Sequence, residues 1–345
     1  MNFYRQNKFG VIISGIVALF ICLGLNLQLQ QNNFNASILW SGLGSLFLTI
    51  FLYFILGTTD LNHRILEWTK DHKIRSLLIP LPLLINYLIY FFGTGENQPH
   101  HIAYVFLFLW LPVLCMMAAP VGSQKLTWSD LAFVVVIWAP IDAAIIQNAW
   151  HWPLGHGSSA YVTSTATCIT IMLMIGVRGL DGVRYKFAIQ KQDWKIMSLN
   201  LNLATVCIIP AGLLVGFVRW SPQEFEITQF LSLFVGLLLM VAIPEEIFFR
   251  GFLQNLLQKS MKNQRLALII ASIIFGFAHI NNEAFPGGPV PDIRYVFFGS
   301  IAGYFYGRTW LKCGVFPAAI IHAVMDTIWI QFLRGNPASD VCQWC

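Results

Sequence analysis

The sequence predicts an all-α, polytopic membrane protein, and three observations support that prediction. Hydrophobic residues make up 57% of the 345 residues, charged residues make up 11%, and the mean hydropathy is +0.64. Soluble domains carry about 25% charged residues. Apolar runs long enough to cross a bilayer as helices recur along the whole chain, whereas the alternating ten-residue pattern of barrel strands does not.

We predict about eleven membrane-spanning helices, or nine to ten if two weak runs do not cross the bilayer. The weak runs, which begin near residues 77 and 203, are short or interrupted by proline. The runs cover roughly 11–28, 38–56, 77–92, 102–119, 131–149, 161–177, 203–218, 229–249, 266–281, 294–311 and 315–333.

Lysine and arginine are distributed unevenly between the two sides of the membrane that these spans imply. With a cytoplasmic N-terminus, eighteen of them fall in inside segments, and only Arg219, Arg294 and Arg334 fall outside. This asymmetry is the positive-inside bias of multi-pass proteins, so the net charge of +5 is a topology signal and does not indicate nucleic-acid binding. We therefore expect an integral protein of a bacterial cytoplasmic membrane, with its N-terminus inside and the lipid bilayer as its partner.

The basic, amphipathic stretch 178–202 separates two halves of the chain. Residues 1–177 form an N-terminal helical region of unknown role, and residues 203–333 form a second helical region. A tail follows at 334–345. The stretch itself suits either a helix lying on the cytoplasmic membrane surface or a solvated loop.

Candidate functional groups are sparse in the first half. Asp142 is the one acid predicted at mid-span, where it could act functionally or bond a neighbouring helix. His151 and His156 fall in a predicted outer loop and could in principle bind a metal ion. Trp150 and Trp152 beside them favour the simpler reading of a loop at the membrane interface.

In the second half, the motif "EEIFFRG" places three charged residues inside an apolar span. Glu246 and Arg250 are four residues apart, so they can pair on one face of a helix. Glu245 is rotated by about 100° from Glu246 on a helix of 3.6 residues per turn. One carboxylate is thus neutralised by the arginine, while the other can face a cavity.

Two histidine motifs follow on later spans, "FGFAH" and "HAVMD". Phe275 lies one turn before His279 and supplies an apolar wall beside the imidazole. His322 and Asp326 are four residues apart, so the acid can accept an imidazole N–H and fix the tautomer.

A glutamate, two histidines and an acid on three helices support three kinds of chemistry. The carboxylate could activate a water molecule while the imidazoles hold that water or stabilise an oxyanion. Glu245, His279 and His322 could instead bind zinc, with one coordination position open. A transporter could use the same groups as a proton relay.

The three motifs, in this order and each within a membrane span, resemble the EExxxR, FxxxH and HxxxN/D motifs of the CPBP family. These are the CAAX-processing and bacteriocin-processing intramembrane endopeptidases, also called the Abi family. The resemblance covers roughly residues 205–333 and does not explain the first 200 residues.

The resemblance implies roles for the motif residues. Glu245 corresponds to the family's water-activating glutamate, and Glu246 with Arg250 to the accompanying pair. His279 and His322 correspond to the histidines of the second and third motifs. The third motif ends in Asn in many members, and here it ends in Asp326.

We thus expect an intramembrane endopeptidase that acts on a membrane-associated, prenylated or secreted peptide or protein and needs no cofactor, with zinc as the alternative. A non-catalytic scaffold or immunity protein of the same fold, a transporter with a Glu/His relay, and a metal-dependent membrane hydrolase of another fold are the competing hypotheses. The sequence does not specify the substrate or the oligomeric state.

The helix between the second and third motifs carries Gly299, Gly303 and Gly307 at successive four-residue intervals. This pattern predicts a face on which helices approach closely, and it indicates packing without chemistry.

Overall fold

The computed structural model describes residues 3–29, 34–152, 159–261 and 263–334. Over these residues the protein is helical and contains no β-strand, so the predicted all-α fold class is confirmed. The chain divides into two compact units, Met1–Ser123 with Thr127–Asp181, and Gln124–Leu126 with Gly182–Cys345.

Over its described residues, the first unit contains seven helices and two short 3₁₀ turns, Lys73–Leu78 and Gln147–Ala149. The helices are α1 (Phe3–Leu29), α2 (Ala36–Thr58), α3 (Leu61–Thr69), α4 (Leu81–Gly93), α5 (His100–Ala118), α6 (Trp128–Asp142) and α7 (Ser159–Gly176).

In the second unit, the part of the chain that the structure describes forms five helices. These are α8 (Asp193–Leu214), α9 (Ile227–Ser260), α10 (Gln264–Phe277), α11 (Ile293–Cys313) and α12 (Val315–Phe332).

Helices overlap all eleven predicted spans. By length and composition, seven helices of the described residues are able to cross a membrane, and α7 and α10 are shorter apolar helices. The protein is thus an integral membrane protein with multiple spans.

Buried polar side chains hold the first unit together. Asn86 on α4 donates to the hydroxyl of Thr49 at 2.8 Å and to the carbonyl of Ser45 at 3.0 Å, both on α2. Tyr161 on α7 donates to the carbonyl of Gly42 at 2.8 Å. Such bonds between helices satisfy backbone and side-chain groups that an apolar surrounding would leave unpaired.

Two expectations about the first unit were wrong. Asp142 is not at mid-span, because α6 ends at this residue and its side chain is exposed. Trp150 and Trp152 do not serve as exposed interfacial anchors, since they are only 2% and 4% exposed and pack inside the unit. His156 and the tail 335–345 lie outside the described residues.

The connection after the first unit is shorter than 178–202. Helix α8 begins at Asp193, so residues 193–202 extend a membrane span and do not form a separate surface helix. The remaining part, 178–192, has no regular secondary structure.

Helices α10 and α11 approach closely at glycines in the second unit. A Cβ built on Gly276 would lie 2.2 Å from the carbonyl oxygen of Val296, and one built on Gly299 would lie 3.2 Å from the Cα of Gly276. The predicted small-residue face is therefore a helix contact.

Candidate functional site

Helix α9 is longer and wider than the sequence suggests. Two segments, Leu238–Ala242 and Glu246–Gln254, are π-helical, and Pro244, which has no N–H to donate to the preceding turn, lies between them. Such wide turns are rare and occur frequently at functional sites. The carboxylate motif begins at the point where the second π segment starts.

The charge count placed Arg250 in a cytoplasmic segment at the end of a span. The structure places it inside helix α9 instead. Its side chain is fully buried, and helix α9 continues beyond it to Ser260. Glu245 therefore lies 15 residues before the end of α9, and His279 lies 15 residues after the start of α10. Both distances along the chain correspond to roughly 20 Å of helix, which is why the two side chains meet at one depth.

Glu246 connects two neighbours in the buried interior. Its Oε2 lies 3.2 Å from Nε of Arg250, and its Oε1 accepts a hydrogen bond of 3.0 Å from Nδ1 of His322. The side chains of Glu246 and Arg250 are both 0% exposed. The predicted pairing of these two residues is confirmed, whereas the bond to His322 was not foreseen.

The guanidinium of Arg250 is held mainly by charge and by an aromatic ring. Its carbon lies 4.4 Å from the centroid of Phe275, in cation–π geometry. None of its three nitrogens makes a directed hydrogen bond within the described part of the chain.

His279 follows the last turn of α10, and its backbone fixes its orientation. Nδ1 lies 2.7 Å from the carbonyl oxygen of Phe275; because a carbonyl only accepts, Nδ1 carries the proton. Nε2 faces Glu245, with 3.6 Å between the nitrogen and Oε2. Phe275 lies 4.6 Å from the imidazole, centroid to centroid, as the wall that the sequence predicted.

His322 on α12 has an acid beside each ring nitrogen. Nδ1 donates to Glu246, while Nε2 lies 3.3 Å from Oδ2 of Asp326 and 3.9 Å from Oε2 of Glu245. The predicted approach of Asp326 is confirmed. The imidazole is thus fixed from both sides, with Nε2 directed at the free glutamate.

Two tyrosines complete the site, and sequence reasoning missed them. Tyr295 stacks on His279 with ring centroids 5.5 Å apart, and Tyr306 stacks on His322 at 4.4 Å, both at 18° between planes. Tyr295, Gly299, Ala302 and Tyr306 all line one cavity, at intervals of four, three and four residues. That interval marks one face of a helix, and it is the signal that could have identified the tyrosines.

The second unit contains a cavity of about 150 Å³ that the carboxylates and imidazoles of the site face. Glu245, His279, His322 and Asp326 line it, whereas Glu246 and Arg250 lie behind its wall. Most other lining residues are apolar, among them Ile208, Leu237, Phe298 and Ile330. The cavity can therefore take an apolar molecule beside a small set of polar groups.

The donor atoms of this site only partly fit zinc. Ligands at about 2.0–2.1 Å from a tetrahedral zinc lie about 3.4 Å from one another. Glu245 Oε2 lies 3.6 and 3.9 Å from the two imidazole Nε2 atoms, somewhat farther than that. No group of three or more His, Cys, Asp or Glu side chains among the described residues has the arrangement of a metal site.

Two candidates of the first half do not join this cluster. His151 lies 2.5 Å from the carboxylate of Glu96 through Nδ1, in the first unit, and Asp142 ends α6 in the same unit. Neither residue lines the cavity.

The fold and site together define a class of protein: a multi-pass membrane protein with an enclosed carboxylate–imidazole cluster. Residues 227–328 match the family model described as "Type II CAAX prenyl endopeptidase Rce1-like", and all three motifs fall within this segment. The match supports, for this segment, the resemblance of its motifs to the CPBP family of intramembrane proteases.

The chain is also similar to the uncharacterized protein YyaK of Bacillus subtilis (strain 168). The two are 32% identical over 127 residues, which cover 34% of this chain and 42% of that protein. The similarity thus spans less than half of the length of this relative. No solved structure matches the chain significantly.

Proposed function

We propose that the protein is an intramembrane endopeptidase in which Glu245 activates the attacking water. The observation that carries this proposal is the convergence of Glu245 Oε2 with Nε2 of His279 and Nε2 of His322 at the wall of one cavity. Glu245 is the partly accessible carboxylate of the pair, with 17% of its side chain exposed against 0% for Glu246.

In the first step, a water molecule between Glu245 and His279 gives a proton to the Glu245 carboxylate, and its oxygen bonds to the carbonyl carbon of the substrate. A base in hydrogen-bond reach of the proton that it takes contributes about 10²–10⁴-fold to the rate. The Nδ1–H of His279 is engaged by the Phe275 carbonyl, so its Nε2 is available to accept from the water.

Negative charge then develops on the carbonyl oxygen, and His322, which in this mechanism carries a proton on each ring nitrogen between Glu246 and Asp326, donates to it through Nε2–H. Glu246 and Asp326, one on each ring nitrogen, orient the imidazole for this role. Preorganised donors of this kind stabilise an oxyanion without further rearrangement. As the carbon–nitrogen bond breaks, Glu245 returns its proton to the leaving amine nitrogen.

We further propose that the substrate is a membrane-associated, prenylated or secreted peptide or protein that enters this cavity. The apolar lining supports an apolar substrate, and the family that residues 227–328 match is one of prenyl endopeptidases. The test is cleavage of farnesylated CAAX-type peptides and of unmodified apolar peptides by the purified full chain, followed by mass spectrometry.

Cleavage that disappears in Glu245→Gln supports the proposal. Binding of the same peptides without any cleavage by the parent protein would instead favour a non-catalytic scaffold. Solute counterflow in liposomes, without cleavage, would favour a transporter.

The proposed location is the cytoplasmic membrane of a bacterium with the N-terminus inside. The charge asymmetry puts Lys191 on the cytoplasmic side and Asn282 outside. Single cysteines at these two positions, in a chain without its native cysteines, should react with an impermeant thiol reagent from opposite sides of the membrane. Reaction of both from one side would reject this topology.

A further inference from the structure

Within the described residues Arg334 has no anionic partner, and its guanidinium carbon lies 5.8 Å from the ring centroid of Trp329, in a weak cation–π contact. Its side chain lines the cavity and the residue is 8% exposed. Its Nε makes no hydrogen bond in the described part of the chain, and no described carboxylate forms an ion pair with it. A buried charge without a partner is costly, so a group from outside the described residues is expected to neutralise it.

The charges along the cavity make this arginine distinctive. Glu245, Glu283 and Asp326 line the cavity as carboxylates, whereas Arg334 is the one lysine or arginine that lines it among the described residues. Arg250, the other buried arginine of this unit, lies behind the wall and pairs with Glu246. A molecule in the cavity therefore meets a single accessible guanidinium.

Helix α12 sets the distance of this guanidinium from the reacting groups. His322, Asp326 and Ile330 follow one another at intervals of four residues and form one stripe of α12 along the cavity, and Arg334 lines the same cavity just beyond the end of the helix. Helix α12 ends at Phe332, six residues beyond Asp326 and ten beyond His322, which corresponds to about 9 and 15 Å of helix, and Arg334 follows two residues later.

From this geometry we infer that Arg334 binds a carboxylate of the substrate and thereby sets which peptide bond reaches Glu245. The inference rests on the proposed peptidase function. A guanidinium binds a carboxylate through two parallel hydrogen bonds, which fixes position as well as charge. An extended peptide rises about 3.4 Å per residue, so the bound carboxylate lies roughly three to five residues from the cleaved bond.

Two sources of this carboxylate share the same chemistry: the free C-terminus of a peptide and an acidic side chain. Three farnesylated CAAX-type peptides distinguish them. The first ends in a free carboxylate, the second ends in a carboxamide, and the third ends in a carboxamide but carries aspartate as its last residue. Initial rates of cleavage give kcat and KM for each peptide with the parent protein, Arg334→Gln and Arg334→Lys.

We expect the parent protein to cleave the first peptide at least about 10-fold more efficiently than the second, mainly through a lower KM. Arg334→Gln should cleave both with equal efficiency, at the rate that the parent shows for the carboxamide. Arg334→Lys should recover part of the preference, since it keeps the charge and loses the planar pair of donors. Rapid cleavage of the third peptide identifies an acidic side chain as sufficient; slow cleavage identifies the free C-terminus.

Arg219→Gln is the matched control, because Arg219 is exposed, does not line the cavity and contacts the ring of Phe285. It should leave the preference of the parent protein intact. A preference that survives in Arg334→Gln, or a parent protein that cleaves all three peptides equally, would overturn the inference. A parent protein with no Glu245-dependent cleavage of any peptide would refute the peptidase function itself, which separates the two failures.

Discussion

The two units each bury an arginine against a carboxylate, and the two pairs are satisfied very differently. In the first unit, Arg178 donates to both oxygens of Asp130, at 3.0 and 3.2 Å, and to the carbonyl of Pro120 at 2.6 Å. Asp130 also accepts from the backbone of Thr127 at 2.8 Å, as part of a helix cap. This pair has its hydrogen-bonding capacity used within the fold.

In the second unit, Arg250 and Glu246 are buried just as completely, but the guanidinium makes no directed hydrogen bond in the described residues. The remaining oxygen of Glu246 goes to His322, which faces the cavity. The difference teaches that residue type and burial do not identify a functional ion pair. A functional pair is identified by a hydrogen bond to a residue, here His322, whose side chain also faces the cavity.

The imidazole–carboxylate contacts differ in the same way. Glu96 in the first unit accepts the backbone N–H groups of Asn97 and Gln98 at 3.0 and 2.9 Å, beside His151 and His101. Glu245 in the second unit has no such backbone donors, and its buried Oε2 makes no hydrogen bond within the described residues. Only the second carboxylate has capacity left for a water or a substrate.

The largest effect is expected from Glu245→Gln. The change keeps the shape of the side chain and removes the base, so cleavage should fall by about 10²–10⁴-fold while the melting temperature stays near that of the parent. Initial rates and thermal unfolding measure the two quantities. Glu96→Gln is the matched control, and it should retain turnover per folded molecule. Equal losses in both variants would erase the contrast between the two carboxylates.

Glu246→Gln and Asp130→Asn test the two arginine pairs against each other. Each leaves a buried guanidinium short of its partner, a change that typically costs about 3–5 kcal/mol. Both variants should therefore unfold at lower temperature or denaturant concentration. Only Glu246→Gln should also lose turnover per folded molecule, because His322 loses an orienting partner.

A different result would reverse the assignment of the two glutamates. If Glu246→Gln folded stably but cleaved nothing while Glu245→Gln kept substantial turnover, the roles proposed for the pair would be exchanged.

The sequence predicted the fold class and the pairs of motif residues within one helix because both depend on local patterns. Apolar length determines the spans, and intervals of four residues determined the pairing of Glu246 with Arg250 and of His322 with Asp326. These intervals survive even though the first pair lies in a π-helical segment.

Contacts between distant helices could not be predicted in the same way. The sequence around Glu246 does not predict that its second carboxylate oxygen accepts a hydrogen bond from His322, 76 residues away. Arg250 was taken as the end of a span because a buried arginine is costly in lipid; that cost is offset by Glu246 on the same helix and by the ring of Phe275 on α10. Tyr295 and Tyr306 look like ordinary aromatic residues until the helices that carry the histidines pack against them.

A smaller effect on stability and turnover is expected from Gly303→Ala, because Gly303 lies against two residues of the site. A Cβ there would lie 2.9 Å from Cδ1 of Phe275 and 3.4 Å from Nη2 of Arg250. Gly303→Ala should therefore push the ring that walls His279 and cost about 1–3 kcal/mol, with reduced kcat. The measurements are denaturant unfolding and initial rates.

Gly44→Ala in the first unit is the control for this change. No atom lies within 4 Å of a Cβ at Gly44, and the residue is helical, so alanine should be neutral or stabilise the protein by up to about 1 kcal/mol. A fully active and stable Gly303→Ala would show that the glycine face tolerates displacement of Phe275.

The smallest effect is expected from removing metal ions. This test asks whether Glu245 in the second unit is a base or a metal ligand. Glu245, His279 and His322 present the right atoms for zinc, but the carboxylate oxygen lies 3.6 and 3.9 Å from the imidazole nitrogens, and Arg250 behind the wall opposes a dication. Bonding to a single zinc would draw these atoms together and pull His322 away from Asp326, now 3.3 Å from its Nε2.

We therefore predict that dialysis against a strong chelator leaves the cleavage rate unchanged, and that the purified protein contains much less than one zinc per chain by elemental analysis. Stoichiometric zinc, with activity abolished by the chelator and restored by zinc alone, would instead show that Glu245 is a ligand and that the base in the second unit must be sought elsewhere.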